Sequence, residues 1–131
     1  MASRLELVLK ELNDNAGFLA SLFSTSTGLV LASQKSEKVD ERVVAAMSSL
    51  LSDSANKARE ELNLSELESI KIKFTDDIII MKNILIEDNT KFILAVLGKA
   101  PDSDDIEKYY DELLDWAVEN SLPDLKKLSS I

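Results

Sequence analysis

"GFLASLFSTSTGLVLAS", residues 17–33, holds two short apolar runs around a hydroxyl-rich knot, Ser24-Thr25-Ser26-Thr27-Gly28. The runs, Phe18 to Phe23 and Leu29 to Ser33, have strand length, and a short polar loop ending in glycine joins them. That pattern is a hairpin signal. The knot could be a phosphate cradle, a nucleophile or a bend in the chain. One glycine is too few for the close backbone approach that a phosphate loop uses. Ser24 and Thr25 have no base nearby in sequence, and the chain contains no histidine. Gly28 can adopt the positive φ that a tight hairpin demands. The stretch therefore reads as a hairpin whose hydroxyls serve the turn.

Helical and strand periods alternate outward from this hairpin. Upstream, Leu5, Val8, Leu9 and Leu12 recur at helical spacing. Ser3 and Glu6 form a capping box, and Gly17 follows the polar stop Asn13-Asp14-Asn15. Downstream, a helical period runs from Asp40 to about Leu62, roughly 35 Å at 1.5 Å per residue. This second helix carries two stripes. One is bulky: Val43, Met47, Leu50, Leu51, Ser54, Ala58 and Leu62. The other is small: Ala45, Ala46, Ser48, Ser49, Ser52 and Ala55. Then "ESIKIKF" alternates, with Ile70, Ile72 and Phe74 on one face and Lys71 and Lys73 on the other. Asp76-Asp77 reads as a turn, Ile78–Ile86 as a strand covered on both faces, Glu87-Asp88-Asn89 as a turn and Lys91–Gly98 as a further strand. Ser65 and Glu68 match a capping box, but the period of two that follows argues against a helix there.

Pro101 and the acidic run Asp102 to Asp105 announce a last helix with Ile106, Tyr109, Tyr110, Leu113 and Ala117 on one face. Asn120 and Pro123 are expected to end it. The division is therefore a domain over 1–122 and a short tail over 123–131. The order is α-β-β-α-β-β-β-α, an α+β domain built on one five-stranded, mostly antiparallel sheet with helices on both faces.

Composition narrows the function. With 45% hydrophobic and 30% charged residues in 131, the chain suits a single globular domain. The net charge of −9 would repel phosphate backbones and bare anionic membranes, so neither nucleic acid nor a membrane surface is an expected partner. No run reaches the ~18 apolar residues of a membrane span. The N-terminus does not read as a signal peptide, and no cysteine is present, which fits a cytoplasmic location. Ser-His catalysis and histidine-ligated metals are excluded. Gly17, Gly28 and Gly98 are the only glycines, and their spacing writes neither a dinucleotide fingerprint nor a P-loop. No cofactor and no catalytic residue is expected.

Gly28-Leu29-Val30-Leu31-Ala32-Ser33, after a short helix and before a long small-residue helix, resembles the Roadblock family. That family includes dynein light chains of the Roadblock type, MglB-like GTPase regulators and Ragulator subunits. The resemblance covers roughly Met1 to Asn120. Ser26-Thr27 depart from it, since an acidic residue or Asn is common before the glycine. It implies a non-enzymatic dimerisation and scaffold module that regulates a small Ras-like GTPase, pairing with itself or a paralogue through the second helix and the third strand. Ala45, Ser48, Ser52, Ala55, Ile70, Lys71, Ile72 and Lys73 are the expected dimer contacts. Arg42, Ala46, Ser49, Asp53 and Lys57 are the expected partner contacts. A second reading of the third strand stays open, in which Lys71 and Lys73 keep a monomeric edge solvated. So does a different function class, a small-molecule sensor of profilin-like or PAS-like architecture, which needs a cavity between sheet and helix.

Overall fold

The computed structural model of the chain describes residues 3–87 and 90–130. Helix α1 (Arg4–Ala16) leads to strands β1 (Ala20–Thr25) and β2 (Val30–Lys35). Helix α2 (Glu41–Leu62) follows, then β3 (Ser69–Lys73), β4 (Asp77–Ile86), β5 (Thr90–Lys99) and α3 (Asp104–Ser129). Local chemistry explains the boundaries. Ser3 Oγ accepts from the Glu6 N–H at 3.1 Å, and Gly17 closes α1 at φ 71°. Asp40 caps α2, and Ser103 accepts from the Ile106 N–H to start α3. Residues 64–68 are not helical, as the alternation after them implied. Asp77 opens β4 instead of closing a turn. Asp88 and Asn89 of the turn expected after Ile86 lie outside the described residues.

The sheet has the order β2-β1-β5-β4-β3, and its neighbours are antiparallel throughout. Its two faces are covered differently. On one, Phe23, Ile78, Ile80, Phe92, Leu94 and Val96 pack under Leu9 and Leu12 of α1 and Leu114 and Leu125 of α3. On the other, Leu22, Ile79, Met81, Ile93 and Ala95 meet Val44 and Ala45 of α2 alone. Adjacent strand residues point to opposite faces, so the nearly continuous apolar run of β4 feeds both layers.

Two expectations about α3 are corrected. Its buried face is Tyr110, Leu114, Ala117, Ser121 and Leu125, while Ile106 and Tyr109 are exposed. The helix also runs through Pro123 to Ser129, so the boundary expected at residue 122 falls inside it. Proline removes one intrahelical hydrogen bond and crowds the carbonyl four residues earlier, at a cost of about 3 kcal/mol. Pro123 and Glu119 are both exposed, so water reaches that carbonyl, and Leu125 is wholly buried one turn-half later. Burial of a leucine is worth about 2 kcal/mol, which offsets most of the loss.

Gly98 fixes how α3 joins the sheet. A Cβ there would lie 2.6 Å from Cδ1 of Phe18, whose ring packs on Tyr110 with centroids 5.0 Å apart. The ring has helix behind it and cannot simply swing away. Gly98→Ala is therefore expected to lower stability by about 1–3 kcal/mol through overpacking. Urea unfolding measures it; an unchanged midpoint would show the ring to be free.

Candidate interaction surface on α2 and β3

α2 is held by both caps and by its small residues. Asp40 Oδ1 accepts from the Arg42 N–H at 3.0 Å. Asn63 ends the helix in the left-handed region at φ 56°, a conformation asparagine tolerates. Between them Ala45, Ser48 and Ser52 are buried against the sheet of the same chain. Ser48 Oγ donates to Val44 O at 2.7 Å, and Ser52 Oγ reaches Asn83 Oδ1 at 3.5 Å. Ala55 is half-buried. The small stripe thus brings α2 close to its own strands. Ala45, Ser48 and Ser52, expected as contacts to a second copy, have no surface left for one.

The hairpin tip occupies the next side of the helix. Gly28 has φ 94°, and a Cβ on it would sit 3.5 Å from Ala45 O and from Ser49 Cβ. Ser49 Oγ donates to Ser26 O at 2.8 Å. Ser49, expected as a partner contact, is therefore half-buried and ties the hairpin to α2. Thr25 Oγ1 accepts from the Leu29 N–H at 3.1 Å, so the turn uses its own hydroxyl. Ser24 is buried, and its hydroxyl has no hydrogen-bond partner among the described residues.

The outward side is apolar where the small stripe is not. Val43 is 63% and Leu50 69% exposed, beside exposed Ala46, Asp53 and Lys57. Met47 and Leu51 on α2, and Ile70 and Ile72 on β3, are half-buried around the same apolar layer. Exposed Phe74 continues the isoleucine row. Helical period revealed both stripes of α2, but period alone does not say which one faces the sheet.

Lys71 and Lys73 are exposed, and both bend back onto carboxylates of α3. Lys71 Nζ lies 2.9 Å from Asp111 and 3.6 Å from Glu107, and Lys73 Nζ lies 3.2 Å from Glu107. One strand in, Lys82 Nζ lies 2.8 Å from Asp115. Glu107, Asp111 and Asp115 recur every fourth residue along one side of α3, the signal by which sequence could have found them. Partial burial alone would pull the Lys71 pKa down, but the hydrogen bond and charge of Asp111, helped by Glu107, outweigh it and hold it above its ordinary value. The hydrogen bond from Lys73 is the main cause that holds the Glu107 carboxyl below its usual range. A depressed carboxyl stabilises above its unfolded pKa and loses that contribution as pH falls through the folded value. A raised lysine stabilises below its unfolded pKa and loses that contribution as pH rises through its folded value. The clamp between strand and helix is therefore complete across neutral pH and fades at both extremes.

Among the described residues no helix is long and apolar enough to cross a membrane, and no group of acidic side chains is arranged to hold a metal. The three arginines are paired within the chain: Arg4 with Asp124 at 3.4 Å, Arg42 with Asp40 at 3.3 Å and Arg59 with Glu66 at 3.5 Å. A recess of 570 Å³ lined by Thr75, Asp76, Lys99, Asp102 and Tyr110 opens at the end of the sheet, away from α2.

A five-stranded antiparallel sheet with one helix on one face and two on the other, and a hairpin docked on the lone helix, defines a class of small α+β folds. Residues 4–98 match the model of the Roadblock/LC7 domain, and the chain belongs to that family. An uncharacterized protein of Methanocaldococcus jannaschii is 38% identical over 71 residues, which cover 54% of this chain and 60% of that one. Among solved structures, MglB of Myxococcus xanthus superposes with a TM-score of 0.78 at 13% identity over 98% of this chain and 96% of its own. A Roadblock/LC7 domain of Streptomyces avermitilis reaches 0.79 at 15% identity, covering 94% of this chain and 98% of its own. At such identities these likenesses bear on the fold.

Proposed function

We propose that the chain is a non-enzymatic scaffold that dimerises and, as a dimer, binds and regulates a small Ras-like GTPase. The observation that carries this reading is the outward apolar stripe of α2, exposed Val43 and Leu50 with half-buried Met47 between them, on a helix whose opposite side is already closed on its own sheet. A contiguous bulky stripe in water marks an interaction surface. Two occupants divide it. A second copy takes the free edge of β3 with the adjoining flank formed by Ile70, Ile72, Met47 and Leu51. The GTPase takes the outer flank, where Arg42, Ala46, Asp53 and Lys57 surround the stripe. The Roadblock/LC7 match over residues 4–98 supports this reading. The protein works in the cytoplasm and takes no cofactor.

The proposed effect on nucleotide turnover is indirect. Arg42 pairs with its own cap residue and Arg59 with Glu66, and in this reading neither acts as a catalytic finger. Regulation then acts by ordering the partner's own switch segments. Small GTPases of the same organism, loaded with either nucleotide state, are the binding test. Charge reversal at Arg42, Asp53 and Lys57 together is expected to weaken capture about tenfold or more while the dimer mass stays unchanged, because rim charges steer and select a partner. Arg42→Ala should leave stimulated turnover within a few-fold, whereas loss of an arginine finger costs ~10³-fold or more. An intact dimer that captures no GTPase in either state would overturn the reading.

A further inference from the structure

No residue of α2 lines the recess at the end of the sheet. Its walls come from three places: Asp76 from the turn between β3 and β4, Lys99 to Asp102 from the link into α3, and Ile106 and Tyr110 from the first turns of α3. Hydrogen bonds tie these walls together. The Ala100 N–H donates to Asp76 O at 3.1 Å, and the Phe74 N–H donates to Asp77 O at 2.8 Å. The Tyr110 hydroxyl donates to Lys99 O at 3.3 Å. Pro101 restricts the backbone of the link, and the Tyr110 ring is buried against Phe18. The recess is therefore built from tied backbone and a packed ring.

Its lining has two sides. Ile106 and Tyr110 make an apolar one, and exposed Ile106 and Tyr109 carry it onto the surface of α3. Asp76 and Asp102 make the other. Both are exposed, and neither forms an ion pair among the described residues. Farther along α3, Glu107, Asp111 and Asp115 are each taken by a lysine of the sheet. Asp104 and Asp105 lie in the first turn of α3, where the helix dipole favours negative charge. Asp76 stands on another element and Asp102 precedes the cap, so that account does not cover them. Lys99 is the one cation in the lining. It is exposed, and its long stem lets the ammonium stay in water.

We infer that this recess takes a lysine or arginine side chain from a basic segment of a partner protein, with the aliphatic stem on Ile106 and Tyr110 and the cationic head at Asp76 and Asp102. Charge complementarity chooses the occupant. An anionic guest would meet two unpaired carboxylates on a chain that already carries a net charge of −9. Shape favours part of a longer segment over a free small molecule. Small-molecule sites enclose most of their ligand. This recess of 570 Å³ is open, and its apolar side runs past the rim to Tyr109. Lysine and arginine have the matching form, an apolar stem below a charged head. The site needs neither the dimer nor the GTPase proposed for α2.

The probe is a fluorescein-labelled hexapeptide of alternating leucine and arginine, titrated against the full chain by fluorescence anisotropy. The same peptide with glutamate in place of arginine is the control. Saturable binding of the first and none of the second is expected. Asp76→Asn with Asp102→Asn should weaken binding about tenfold or more, because charges at a contact select the partner of opposite sign. Ile106→Ala should weaken it about threefold or more through the lost stem contact. Glu11→Gln with Glu119→Gln removes two exposed charges from α1 and from the far half of α3. That variant should bind within about twofold of the unaltered chain, since exposed distant charges are screened by salt. Every substituted side chain is exposed, and circular dichroism checks that each variant is folded.

No saturable binding of the arginine peptide, or undiminished binding by the Asp76 and Asp102 variant, overturns the site. An equal loss in the Glu11 and Glu119 variant also overturns it, because net charge alone would then be the attraction. Light scattering of the Asp76 and Asp102 variant should give the mass of the unaltered chain. A smaller mass would make a second copy the occupant and overturn the assignment to a partner's basic segment.

Discussion

Removing residues 123–131 is expected to unfold the domain or leave it only marginally stable at room temperature. Leu125 is wholly buried between α1 and the sheet, and Asp124 lies 3.4 Å from Arg4 at the start of α1. Loss of the last turns of α3 uncovers the first turn of α1 as well. The point variant Leu125→Ala isolates the packing contribution. It should cost about 2–5 kcal/mol, the range for truncating a buried leucine to leave a cavity. Against a total stability of about 5–15 kcal/mol this is a large fraction. Thermal and urea unfolding of both variants measure it. A truncated chain as stable as the full one would mean that the end of α3 is an appendage.

The second large effect separates the two stripes of α2. Val43→Asp with Leu50→Asp should weaken partner capture strongly while the chain stays folded, because both side chains stand in solvent. Carboxylates placed at the centre of an apolar contact are expected to cost at least ~2 kcal/mol of binding, about thirtyfold in affinity. Ala45→Leu should do the opposite. It forces extra methylenes between α2 and the sheet, beneath the docked hairpin, at about 1–3 kcal/mol of folding stability. Its association should follow from how much of it is folded. If Ala45→Leu folds normally and fails only to associate, the small stripe is a surface after all.

The contrast between these stripes marks where sequence was legible. Caps were readable because they are local: Ser3, Gly17, Asp40 and Ser103 act on residues within one turn. The alternation of Ile70, Lys71, Ile72 and Lys73 was readable because a strand has two faces and one period. The identity of the inward stripe of α2 was not local. In a self-contained domain the bulky stripe faces in. Here the small stripe does, since it lets the helix lie close to the strands and seats Gly28. The end of α3 was misplaced for a similar reason. Pro123 is a local stop signal, and burial of Leu125 overrides it. The α3 carboxylates that hold Lys71 were legible as an every-fourth-residue row, yet their partners lie some forty positions away in sequence, where no local rule reaches.

α1 and α3 share one layer although every strand of the sheet lies between them in sequence. That layer cannot close until α3 has left the ribosome, whereas α2 can settle on its side as soon as β5 is available. During synthesis the nascent sheet therefore presents Phe23, Ile78, Ile80, Phe92, Leu94 and Val96 with α1 alone to cover them. Transiently uncovered strands of this kind invite aggregation. The two layers should also mature at different rates, since closing contacts between distant residues slows folding. Pulse-labelled amide exchange during refolding should find protection in α2 before α1, and a chaperone that holds apolar sheet should bind stalled chains that end before residue 104.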